Sequence, residues 1–164
     1  MKRALRRSLL VAALVVFSAC EPDCPEGTPV IVLDTRGAPA GDALLTIGSQ
    51  GGFHLGLDLQ TAGLCGDRLA LSYALTELAT GRVLSAGDRD VEQQDGFADL
   101  DTVVVVCPVA PEVVAVDRLL HVRLTATDPH GATASTGLEV TARCPTAPDA
   151  LWNTCQRICD GRTP

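Results

Sequence analysis

Lysine is nearly missing: Lys2 is the only one, and every other cation of the 13 is arginine. Beyond the first seven residues there is no phosphate-cradle lysine, no Schiff-base lysine and no Ser-x-x-Lys nucleophile pair. Aromatic residues make up 3% of the chain, namely Phe17, Phe53, Tyr73, Phe97 and Trp152. Sugar-binding folds and single-strand nucleic-acid modules depend on exposed aromatic platforms, and few side chains here can serve. The core must therefore be leucine, valine and alanine. There is no basic run, and the net charge is −7. That balance argues against nucleic acid, where neutralising phosphates dominates affinity, and against electrostatic adhesion to anionic lipid. Long apolar runs are also lacking. Leu9 to Phe17 spans nine residues, against roughly 18 or more for a membrane-spanning helix.

That short run is nonetheless placed with purpose. Lys2, Arg3, Arg6 and Arg7 precede it, and Ser18-Ala19-Cys20 follows it. A cationic head, an apolar segment and small residues before a cysteine form a targeting pattern. It resembles a bacterial lipoprotein signal peptide, which implies cleavage before Cys20 and lipidation of that residue. Val16, Ser18 and Ala19 match the lipobox, whereas Phe17 stands where the family usually has leucine. The resemblance implies a protein of the cell envelope held by membrane lipid through acylated Cys20. Without lipidation the same leader implies secretion. Losing residues 1–19 removes four cations and leaves nine arginines against 20 acidic residues, a balance of −11.

Seven cysteines are an odd number for an exported chain. Spending Cys20 on lipid leaves Cys24, Cys65, Cys107, Cys144, Cys155 and Cys159, an even six. In an oxidising compartment three disulfides are the default. The Cys-x3-Cys spacing at 155–159 has no second close pair and makes a weak zinc site.

From Pro29 the chain reads as short strands broken by turns. Val30 to Leu33 and Ala43 to Ile47 are apolar runs. Phe53 to Gln60 alternates, with Leu55, Leu57 and Leu59 on one face and His54, Asp58 and Gln60 on the other. Arg68 to Thr76 repeats this with Leu69, Leu71, Tyr73 and Leu75, and Leu120, Val122, Leu124 and Ala126 do so again. A period of two marks half-buried antiparallel strands. Thr80-Gly81 and Asp128-Pro129-His130-Gly131 read as turns. Gly87 to Asp95 is a polar connection, and the valine-rich Phe97 to Val106 is a strand. After Cys144 the character changes: Asp149 caps a helix from Ala150 to about Cys159, Gly161 ends it, and Trp152 anchors it. Six to eight strands result, an all-β fold. The expected organisation is leader 1–19, tether 20–28, β-domain 29–143 and Cys-rich tail 144–164.

The segment Leu124 to Ala134 with Leu138 and Val140 resembles the final hairpin of immunoglobulin-like and cadherin-like modules, which implies an antiparallel β-sandwich. Gly48 to His54 is similar to a stretch of bacterial envelope lipoproteins of unassigned activity. With sandwich order, Cys24 and Cys65 share one end and favour a Cys24–Cys65 bridge. Cys107, Cys144, Cys155 and Cys159 gather at the other end and leave three pairings. Of these, Cys155–Cys159 is the least comfortable because it must fit across one helical turn. A bridged Cys24 leaves three free residues after Cys20, a reach of roughly 10–14 Å.

Candidate chemistry is sparse. His54 and His121 fall on outward faces of strands in different sheets, and His130 lies in a turn, so the three do not converge. Asp88, Asp90, Glu92, Asp95, Asp99 and Asp101 form the densest acidic stretch. Cadherin-like modules bind calcium, which makes Asp88, Asp90, Asp95 and Asp99 weak calcium candidates, but Gln93 replaces the glycine of a helix-loop-helix calcium loop. Gly48 to Gly52 lacks the lysine and helix of a phosphate cradle. The expectation is a lipid-anchored, non-catalytic binding or structural module with no cofactor and an envelope protein as partner. A calcium-dependent adhesion module and a small envelope enzyme are the alternatives.

Overall fold

Alternation of leucine and valine with polar residues builds nearly every strand. The computed structural model of the protein describes residues 27–48, 52–100, 104–107, 115–146 and 150–159. The leader, Cys20, Cys24, Asp101, Asp149 and Gly161 lie outside these residues. Ten strands and one helix are present among them: β1 (Val30–Thr35), β2 (Asp42–Ile47), β3 (Phe53–Leu55), β4 (Leu57–Ala62), β5 (Arg68–Glu77), β6 (Val83–Gln94), β7 (Phe97–Asp99), β8 (Val105–Cys107), β9 (Leu119–Thr127), β10 (Thr133–Arg143) and α1 (Ala150–Cys159). They form one mixed sheet in the order β1-β4-β7-β6-β5-β9-β10-β2-β3-β8. The sheet curls, so that Ile31 and Leu33 of β1 share one buried cluster with Leu71, Leu75, Leu120 and Leu124 of the central strands. The fold is all-β, as the strand pattern predicts.

The central pair is the clearest case. Leu69, Leu71, Tyr73 and Leu75 of β5 and Leu120, Val122, Leu124 and Ala126 of β9 all turn inward. Each fully buried leucine contributes roughly 1.5–3 kcal/mol. Tyr73 faces Leu124 across the ladder, and its hydroxyl lies 3.3 Å from Ser85 Oγ.

Three expectations need correction. Phe53 to Gln60 is not one strand but two, broken at Gly56, where the neighbouring chain changes. On one side β4 pairs with β1 and β3 with β2, and the Gly56 N–H donates to the Leu44 carbonyl at 2.9 Å. His54 is buried rather than outward. A Cβ on Gly48 would stand 2.1 Å from His54 Nε2, so only glycine there leaves room for the ring. His54 and His121 also belong to one continuous sheet, with β10 and β2 between their strands.

The polar stretch from Gly87 is strand as far as Gln94, not connection. It extends β6, whose ladder with β5 runs to Glu92 opposite Arg68. Asp95 (φ 52°) and Gly96 (φ 78°) then make the two-residue turn into β7, a left-handed pair typical of type I′ hairpins. The valine-rich Phe97 to Val106 divides into β7 and β8.

Among the described residues the only parallel pairing joins β2 to β10, with Asp42, Ala43 and Leu44 beside Thr141, Ala142 and Arg143. Arg143 locks this junction: Nε donates to Asp42 at 3.1 Å and Nη1 to Asp117. These bonds, Asp42 foremost, hold the guanidinium pKa above its ordinary value.

The tail helix forms where expected, but a different residue docks it. Trp152 remains 38% exposed, whereas Cys155 and Cys159, one turn apart, are fully buried. The Cys159 carbonyl, an orphan of the helix end, accepts from the Ala115 N–H at 2.9 Å. Among the described residues no helix is long and apolar enough to cross a membrane.

Candidate functional site

Two outer surfaces and the buried carboxylate of Asp128 carry the candidate polar groups. The first surface lies over β6, β5, β9 and β10. Its side chains form cross-strand rows: Asp90, Ala70, Thr127, Thr133, and then Asp88, Ser72, Thr125, Ser135. Thr125 Oγ1 and Ser135 Oγ are 2.8 Å apart. Small side chains on β5 between acidic and hydroxyl neighbours leave a shallow depression of about 410 Å³, lined among others by Ser72, Asp88, Asp90, Thr125 and Thr127. These groups can exchange hydrogen bonds with a polar ligand or a neighbouring strand. Neither row contains an imidazole or thiol to activate Ser72.

The second surface lies over β1, β4 and β7. Asp34, Asp58 and Asp99 stand in one row across three strands, an arrangement that like charges disfavour. Arg36 offsets it, donating from Nε to Asp58 at 3.0 Å and approaching Asp99 at 3.1 Å. Beside the row, Val30, Val32 and Phe97 are each half or more exposed.

The calcium candidates are thus dispersed. Asp88 and Asp90 belong to the first surface, Asp95 to the β6–β7 turn and Asp99 to the Arg36 cluster. Among the described residues no group of three or more His, Cys, Asp or Glu side chains is placed to hold a metal ion. His121 lies over Gly137 on the outer face of β9 and β10, and His130 occupies the β9–β10 turn, so the histidines stay apart.

Asp128 is the most committed polar residue, 5% exposed at the head of that turn. Its Oδ2 accepts from the Cys65 N–H at 2.9 Å, and its Oδ1 accepts from the His130 and Ala132 N–H groups, each at 2.9 Å. Burial alone raises a carboxyl pKa. Here the Cys65 N–H, then those of Ala132 and His130, with the nearby His130 side chain, outweigh burial and hold Asp128 below its ordinary value. The carboxylate therefore ties the Cys65 loop to the final hairpin. A perturbed, buried Asp marks many active sites, but every donor to this one is backbone, and its role is structural.

Cys144 and Cys155 form a disulfide with Cα atoms 5.8 Å apart, which closes the tail onto the end of β10. Cys65 and Cys159 are disulfide-bonded as well. Cys24, the expected partner of Cys65, and the side chain of Cys107 lie outside the described residues.

Comparison with known protein families, with curated proteins and with solved structures finds no match to this chain. Sequence reasoning missed the Arg36 and Arg143 clusters, whose members are far apart in the chain. Asp128 was legible only as a turn residue, although aspartate heading a Pro-containing turn is a known capping signal.

Proposed function

We propose that this chain is a lipid-anchored module of the bacterial cell envelope, built as an immunoglobulin-like sandwich and binding or supporting another envelope protein without catalysis. The observation that carries the reading is the oxidised state of Cys65, Cys144, Cys155 and Cys159. Disulfides persist in oxidising compartments, which agrees with the leader and with the spending of Cys20 on lipid. The immunoglobulin-like reading draws support from the split of the first edge. There β1 pairs antiparallel with β4, while β2 crosses over to run parallel with the last strand. The non-catalytic reading draws support from the dispersal of the histidines and from the structural partners of Asp128 and Arg143, the two groups with shifted pKa values.

Mass spectrometry of protein purified from bacterial membranes tests the anchor. The expected N-terminus is a diacylated or triacylated Cys20, and Cys20→Ala should move the protein from the membrane to the soluble fraction. An intact Met1 terminus, or a Cys20→Ala variant that stays in the membrane, would overturn the anchor. Binding is tested separately by crosslinking in intact cells. A specific envelope partner is expected, and its absence from all crosslinked products would leave a purely structural module.

A further inference from the structure

The end of the sheet where the chain enters the fold carries a further inference. Thr28 and Pro29 lie against the loop after β4, where a Cβ on Gly63 would stand 3.2 Å from the Thr28 carbonyl oxygen. The β6–β7 turn closes on the same end, because the Thr61 N–H donates to the Gly96 carbonyl at 2.7 Å. Val30, Val32 and Phe97 all turn outward here. Val32, Gln60 and Phe97 form one cross-strand row, and Val30 beside Ala62 forms the next. Two residues along the strands in the other direction stands the row of Asp34, Asp58 and Asp99. The outer face of β1, β4 and β7 is therefore graded, apolar toward the entry of the chain and acidic away from it. Asp95, in the turn before Phe97, adds one exposed charge on the apolar side.

Apolar side chains gathered on a surface and rimmed by polar ones mark an interaction site, and the chain itself indicates what covers this one. Cys20 stands eight residues before Thr28, a reach of at most roughly 26–29 Å. A lipid on Cys20 would hold this end of the sheet nearest the bilayer. Leu78, Val83 and Leu119 are also exposed, but they lie at the far end. Gln94, which pairs with Phe97, and Val83 are the two ends of β6, roughly 35 Å apart at the usual rise of a strand.

We propose that the face of Val30, Val32 and Phe97 is a membrane-docking surface, laid against zwitterionic phospholipid of the same bilayer that holds Cys20. The proposal rests on the lipid-anchor reading and adds an orientation to it. An acylated residue on a tether limits distance without fixing which face meets the membrane, whereas apolar side chains entering the headgroup boundary fix it. Asp95 and the aspartate row are repelled by anionic headgroups, so the contact favours lipid without net charge.

Tryptophan placed in the face reads the contact. In the lipidated chain purified from bacterial membranes, with Trp152→Phe removing the native indole, Phe97→Trp and Val83→Trp serve as single probes. The two positions are matched, each 58% exposed. In vesicles of phosphatidylcholine brominated on its acyl chains, Phe97→Trp should be quenched about threefold more than Val83→Trp. Replacing half of the lipid by phosphatidylglycerol should reduce that excess. If Phe97→Trp fails to fold, Val32→Trp takes its place with the same expectation. Flotation of the vesicles separates the two readings. A chain that does not float overturns the anchor and the docking together. A chain that floats with equal quenching at both positions overturns the docking alone and leaves the face to a protein partner. An excess that grows with phosphatidylglycerol overturns the preference for zwitterionic lipid. A blue shift of Phe97→Trp emission with rising concentration of lipid-free Cys20→Ala protein assigns the face to a second copy and likewise overturns the docking.

Discussion

Replacing Asp128 should be among the costliest single polar changes in the chain. In Asp128→Ala the Cys65 N–H, buried with its acceptor, loses its only described partner, a penalty of about 1–3 kcal/mol for an orphaned buried donor. The N–H groups of His130 and Ala132 are partly exposed and recover water, so each adds only about 0.5–1 kcal/mol. The total is about 2–5 kcal/mol. Asp128→Asn keeps the shape, but one arm becomes an NH2 that cannot accept, and the cost falls to about 1–3 kcal/mol. Acid separates this account from a simple packing loss. The folded pKa of Asp128 is depressed, so its stabilisation is fully present above the unfolded value of about 3.9 and is lost as pH falls through the folded pKa. Urea unfolding followed by far-ultraviolet circular dichroism, with disulfides intact, should show wild type and Asp128→Asn furthest apart at neutral pH. The gap should narrow below about pH 4. Equal stability at pH 7, or a gap that survives at low pH, would refute the reasoning.

Gly96→Ala should destabilise by about 2–4 kcal/mol, because the left-handed backbone strains any Cβ and this one would sit 2.8 Å from the Thr61 carbonyl oxygen; thermal unfolding reads the loss. Arg143→Gln should cost about 0.5–1 kcal/mol, since its partners are largely solvent-screened, and the difference should shrink further in 1 M salt, where the screening length falls to about 3 Å. The double replacement Cys144→Ala with Cys155→Ala should cost about 2–3 kcal/mol for a short closed loop. Limited proteolysis should then cut first between Cys144 and Cys155.

Side chains that alternate against one core were readable in advance. The leucines of β5 and β9 do so without interruption, and the Asp128–Gly131 turn and the extent of α1 follow from local chemistry. The part of β6 from Gly87 escaped because it buries few of its side chains. Only Val91 is buried, and the strand is held by its backbone ladder to β5, which hydropathy does not record. The Asp95-Gly96 pair was the available signal, since that dipeptide favours a two-residue hairpin. His54 misled for a different reason. Alternation assigns it correctly to the face opposite the leucines, but there the ring packs against Gly48 and is buried. The Arg143–Asp42 bond spans 101 positions, and no local pattern announces such a pair. Trp152 shows the limit of reasoning from size alone, because among the described side chains of α1 the two cysteines are buried and the largest apolar one is exposed.

The acidic stretch from Asp88 to Asp101 gains a different meaning from this geometry. Read along the chain, its density suggests a cation site. In the fold, Asp88, Asp90 and Glu92 fall on alternate positions of a strand that, among the described residues, pairs on its far side only at Gln93 and Gln94, which is where like charge deters edge-to-edge association. The same stretch then supplies Asp99 to the row that Arg36 holds together. Its charges therefore serve two jobs that need no ion, guarding one edge and pairing with one arginine.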